Sequence, residues 1–145
     1  MRITAMLTTA AVLALAPTAL ARDDYRGEIR GGGAGNIRFD ATENSVTNFV
    51  VNNVKLDCRP DGATERGTLG VKRAKINSND RFEGNGKDRL RDGGLVLIFE
   101  GTVRGNFDRD RERATGSVRF ENRASFNGER RTCESKNLRW TARKR

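Results

Sequence analysis

The chain has no histidine among its 145 residues. That absence removes Ser-His-Asp and Cys-His nucleophile activation, the commonest general base at neutral pH and the commonest metal ligand together. Cysteine is almost as scarce: Cys58 and Cys133 stand alone, with no Cys-x-x-Cys spacing, so neither a redox pair nor a zinc set is expected. Beyond the first residues no stretch of about 12 has helical spacing with caps, and no apolar run nears the roughly 20 residues that cross a membrane as a helix. Aromatics are thin too, with seven Phe, one Tyr and one Trp. That argues against base stacking, so nucleic acid would be held by charge and without sequence preference.

The opening "MRITAMLTTAAVLALAPTALA" pairs Arg2 with an uncharged apolar stretch and ends in Ala19-Leu20-Ala21. This is the layout of a secretory signal peptide over residues 1–21, cleaved after Ala21, and it implies a secreted or periplasmic product. Thr8, Thr9 and Pro17 interrupt it as a membrane anchor. Residues 22–145 then form a single all-β domain. Export implies oxidising conditions, so Cys58 and Cys133 read as one disulfide, which in the chain-entropy view stabilises the fold by about 4 to 5 kcal/mol.

Short alternating runs separated by Gly, Asn and Asp fill the rest. In "YRGEIR", Tyr25, Gly27 and Ile29 share one parity while Arg26, Glu28 and Arg30 share the other. "GGGAG" and then "NIRFD" make a hairpin signal. "SVTNFVVNNVKLDC" changes parity and predicts a bulge at Asn52 and Asn53; "TLGVKRAKI" predicts another. "NGKDRLRDGG" reads as a connection, and the five apolar residues from Leu95 to Phe99 read as a strand covered on both faces near the middle of the core. "NLRWTAR" aligns Leu138, Trp140 and Ala142 inward as the last strand. The sum is an antiparallel meander of about eight strands, as a barrel or a two-sheet sandwich, with Cys58 tying the third strand to the start of the last.

Without histidine, catalysis would need paired carboxylates, and Asp57, Asp61, Glu83 and Glu100 are the candidates, each explicable as strand surface or turn. "DRDRER" (108–113) interleaves each acid with an arginine, which defeats a calcium loop, and neither "GGGAG" nor "GNGKD" opens a helix as a phosphate loop must. No catalytic residue, metal or cofactor is therefore assigned.

Charge is the positive signal. The formal net charge is +9, and Arg119 to Arg145 carries nine basic residues against three acidic ones. Arg119, Arg123 and Lys136 belong to this segment, and Arg130, Arg131, Arg139, Arg143, Lys144 and Arg145 are the leading candidates for a face that binds anions such as a polymer or membrane-surface headgroups. An exported, non-enzymatic β domain binding an anionic ligand or envelope component is the leading reading. A protein-interaction module or secreted inhibitor is the second, and a lipocalin-like carrier or a carboxylate hydrolase the third.

The layout "YRGEIRG", "FVVNNVKLDC" followed by "PDG", a late "ATGSVRF", then Cys133 and "RWTARKR" resembles small secreted bacterial β-rich proteins of uncharacterised function. The resemblance implies an antiparallel β fold with Cys58 joined to Cys133, and it brings no catalytic residue with it.

Overall fold

The computed structural model describes residues 21–31 and 35–145; the leader expected over 1–21 lies, but for Ala21, outside the described residues, as do the three at the centre of "GGGAG". The described chain is all β. Its strands are β1 (Asp23–Arg30), β2 (Asn36–Ala41), β3 (Ser45–Arg59), β4 (Thr64–Lys75), β5 (Arg81–Asp92), β6 (Leu95–Phe107), β7 (Arg113–Phe126), β8 (Glu129–Glu134) and β9 (Leu138–Lys144). Every pairing is antiparallel, in the order β4-β3-β2-β1-β9-β7-β6-β5.

Strand β8 turns this order into a ring. The first part of β3 pairs with β2, and Asp57–Arg59 pairs with β8. Likewise Arg113–Val118 of β7 pairs with β9, and Glu121–Phe126 pairs with β8. Where β2, β1 and β9 run out, β8 alone spans from β3 to β7. Cys58 and Cys133 face each other across that junction and are bonded, with Cα atoms 3.9 Å apart. The expected disulfide is therefore present, although it lands on a short separate strand. Ser135, buried just past that strand, fastens the link to β9 by donating its N–H to the Phe120 carbonyl and accepting the Phe120 N–H on its hydroxyl.

Parity changes occur where the sequence asks for them. Asn53 takes φ 60° and the β3–β4 register slips between Val51 and Val54. Lys72 and Arg73 are both exposed between buried Val71 and Ala74, opposite Asn48, which has φ 53°. Inside, Tyr25, Phe39, Phe49, Phe82, Phe107 and Trp140 pack into one aromatic cluster, with Tyr25 stacked on Phe39 at 4.8 Å and Trp140 edge-on to Phe49 at 5.6 Å. The cluster needs Gly105 and Gly116, which face each other on β6 and β7. A Cβ at Gly105 would lie 2.4 Å from the Phe82 ring, and one at Gly116 2.6 Å from Trp140.

One end of the ring is sealed by Arg111. Its guanidinium donates to the carbonyls of Thr42 and Glu43 and to Asp80, and lies 5.2 Å from the Phe107 ring centre. The Tyr25 hydroxyl donates to the Arg111 carbonyl, and burial pushes its pKa up to about 12.

The opposite end corrects two sequence readings. "NGKDRLRDGG" is a strand rather than a connection up to Asp92, with only Gly93 and Gly94 turning. Leu95 to Phe99 is not mid-core: all five residues are only half-buried. Phe99, level with the disulfide, packs against the edge of the core, and Leu95 to Ile98 lie beyond it, where β5 to β8 continue past the β3–β4 turn as a flap. A continuous apolar run is common to strands covered on both faces and to strands half-exposed on both.

Candidate anion-binding face

Outward residues of the central strands stand opposite one another in continuous cross-strand rows. Arg38 on β2 faces Arg26 on β1, Arg26 faces Arg143 on β9, and Arg143 faces Arg113 on β7. Four arginines therefore stand side by side, all exposed. Directly opposed residues have Cβ atoms about 4.5 to 5.5 Å apart, and like charges in such pairs oppose folding. Arg30 faces Arg139 in a second row on the same side of the sheet. Between these rows lie Glu28, Thr141 and Thr115.

Few anions of the protein answer this charge. Arg26 pairs with Asp24 at 3.2 Å, whereas no ion pair is formed among the described residues by Arg30, Arg38, Arg113, Arg139 or Arg143. From Arg26 and Arg38, with Asp24 and Asp40 flanking them, a groove of about 1390 Å³ runs over Val50 and Gly70 towards the seam between β4 and β5, where Lys72, Arg73 and Lys87 line it together with Asp88. Val50 stands opposite both Arg38 and Gly70, so the groove continues the first row. A Cβ at Gly70 would touch nothing within 4 Å, so the groove floor is open there.

The six leading residues are distributed unevenly. Arg139 and Arg143 lie on this face, with exposed Arg145 just past the end of β9. Lys144 has the inward parity and pairs with Asp23 at 3.2 Å. Arg130 lies on the outer side of the flap. Arg131 points the other way, beside the disulfide, where it bonds Glu65 and Asp61; the Glu65 bond holds its guanidinium pKa above the ordinary value. Arg26, Arg30, Arg38 and Arg113 were missed. The parity of "YRGEIR" marks Arg26 and Arg30 as outward, but only the pairing of β1 with β9 brings them beside Arg143.

A mirror-image row lies towards the disulfide end. Glu100 faces Glu121, Glu121 faces Glu134, and Glu134 faces Asp57, across β6, β7, β8 and β3. Here the protein supplies counter-ions. Lys87 and Arg123 hold Glu100 at 2.7 and 2.6 Å, Arg123 also holds Glu121 at 2.9 Å, and Arg59 and Arg119 pair with Glu134. The Lys87 bond, with Arg123 beside it, keeps the Glu100 carboxyl below its ordinary pKa. Of the other carboxylate candidates, Asp61 is bound to Arg131 and Glu83 to Arg104.

Among the described residues one cluster has metal-ligand geometry, Cys58, Cys133 and Glu65, and its two sulfurs are already bonded to each other. No family model matches the sequence, and no curated protein matches it. The chemistry of the face is therefore read from its own residues.

Proposed function

We propose that the chain is an exported, non-catalytic β domain that binds a linear polyanion across β2, β1, β9 and β7. The observation that carries this reading is the row Arg38, Arg26, Arg143 and Arg113, a like-charge array without built-in counter-ions beyond Asp24. Guanidinium groups offer paired donors to sulfate, phosphate or carboxylate, and a chain of such groups would cross the row and continue along the groove over Val50 and Gly70. Glu28, the acid between the two rows, favours a ligand bound along the row rather than over the whole face. Export is supported by the leader sequence and fits the Cys58–Cys133 bond, since disulfides persist in oxidising compartments. The non-catalytic reading is supported by the arginines and lysine that pair with Glu100, Glu121 and Glu134.

Retention on immobilised heparin tests this. The protein elutes at higher salt than an Arg26→Gln/Arg143→Gln variant, while Arg89→Gln/Arg91→Gln, which removes the same two charges away from the row, elutes later than that variant. Equal elution of all three would defeat the assignment of the row.

A further inference from the structure

The flap carries a second surface, separate from the arginine row. Its outer side has two rows beyond the acidic one: Arg89, Ile98, Arg123 and Thr132, then Arg91, Val96, Ser125 and Arg130. Ile98 and Val96 are half-buried at its centre, while Arg89, Arg91 and Arg130 are exposed around them and form no ion pair among the described residues. Arg123 is held by Glu100 and Glu121. The other side is more apolar and differs in sign. It carries Leu90 and Phe126, which are 55% and 49% exposed, with half-buried Leu95, Leu97 and Phe99 between them, and its charged residues are Asp88, Asp92, Glu129 and Arg131, the last of these already paired with Asp61 and Glu65.

We propose that the outer side of the flap lies flat on an anionic lipid surface. Arginines ringing an aliphatic centre complement such a surface twice over: the guanidiniums meet the headgroup charge, while Val96 and Ile98 lose water at the boundary. A soluble polyanion offers nothing to those two side chains, and the arginine row on the ring has no counterpart to them between its arginines. The acids on the reverse side set the orientation, because pressing Asp88, Asp92 and Glu129 towards the same surface would be repelled. The flap's edges fit this role better than strand addition. Strand β5 presents Lys87, Asp88, Arg89, Arg91 and Asp92, and charge along an edge discourages pairing with another chain.

Co-sedimentation with vesicles separates this from the polyanion reading. The protein partitions onto phosphatidylglycerol–phosphatidylcholine vesicles at low salt and not onto phosphatidylcholine alone. Each juxtamembrane basic residue contributes about fivefold, so Arg89→Gln/Arg91→Gln/Arg130→Gln lowers partition at least tenfold. Val96→Thr/Ile98→Thr, chosen to keep strand propensity, also lowers it, severalfold. Leu90→Ser on the reverse side stays within twofold of the parent, as does Arg26→Gln/Arg143→Gln, the variant that loses heparin retention. A cooperative melt establishes that each variant is folded, and the two flap variants fail for different reasons if either misfolds. No partition onto anionic vesicles, unchanged partition of both flap variants, or loss with Leu90→Ser equal to theirs overturns the proposal. Heparin retention of Arg26→Gln/Arg143→Gln, compared with that of the flap variants, reports separately on the arginine row.

Discussion

Two cross-strand rows of like charge stand on the same sheet, and the protein treats them differently. Glu100, Glu121, Glu134 and Asp57 stand opposite one another on β6, β7, β8 and β3, and Lys87, Arg123, Arg119 and Arg59 reach in to pair with the three glutamates. Arg38, Arg26, Arg143 and Arg113 stand opposite one another on β2, β1, β9 and β7 with Asp24 as their one bonded carboxylate. Each arrangement carries an electrostatic cost in its bare form. The acidic row has been closed internally, which makes it part of the scaffold. The basic row is left open, and an open charge array on a rigid sheet is what an external counter-ion requires.

The largest test of the contrast concerns the strand that completes the acidic row. Cys58→Ala/Cys133→Ala frees β8 from β3 and separates Glu134 from Asp57; a loss of about 2 to 5 kcal/mol is expected by denaturant titration. Heparin retention of the folded fraction should persist, since no residue of the basic row lies on β8.

Next in size is Arg111, an arginine fully used in the sealed end. Arg111→Ala removes donors to Thr42, Glu43 and Asp80 together with the Phe107 contact, a cost of about 2 to 3 kcal/mol. It too should leave heparin retention in place. Tyr25 at the same end makes stability fall at alkaline pH. Its folded pKa is raised, so its contribution is complete below about 10 and is lost as pH rises towards about 12; an alkaline denaturation series of Tyr25→Phe should lack that step.

The smaller effects carry opposite signs. Arg123→Gln leaves Glu100 and Glu121 opposed with less compensation and should lower the denaturant midpoint slightly. The Glu100 carboxyl is lowered in the folded state, so its contribution holds above its ordinary pKa and fades as pH falls through the folded value. Acid titration of Arg123→Gln should therefore show a shallower decline than the parent. Arg143→Gln, in the basic row, should instead stabilise by about 0.2 to 0.5 kcal/mol while weakening retention. A denaturant midpoint that falls for Arg143→Gln would place that arginine with the structural ones.

Strand class, the bulge at Asn53, the disulfide and the inward parity of Tyr25, Ile29 and Trp140 were legible in the sequence because each depends on a local pattern. The register that joins β1 to β9 was not. It follows from β8 replacing three strands between β3 and β7, and no local pattern encodes a pairing between the first strand and the last. The basic face was thus legible at Arg139 and Arg143 and invisible at Arg38 and Arg113. Arg130 and Arg131 are neighbours in sequence, yet alternation sends one to the outside of the flap and the other to Glu65 and Asp61. Leu95 to Phe99 looked like core because composition does not report where neighbouring strands stop; the β3–β4 turn ends before the flap does.

The account rests on the basic row being an anion site, and the change in melting temperature on adding a heparin oligosaccharide at low salt tests it most directly. Ligand bound to the folded state raises the melting temperature by mass action and here would also relieve the repulsion among the arginines. The parent protein should therefore gain clearly on addition, while Arg26→Gln/Arg143→Gln, starting from a slightly higher melting temperature, should gain much less. Equal gains in both, or none in the parent, would contradict the account.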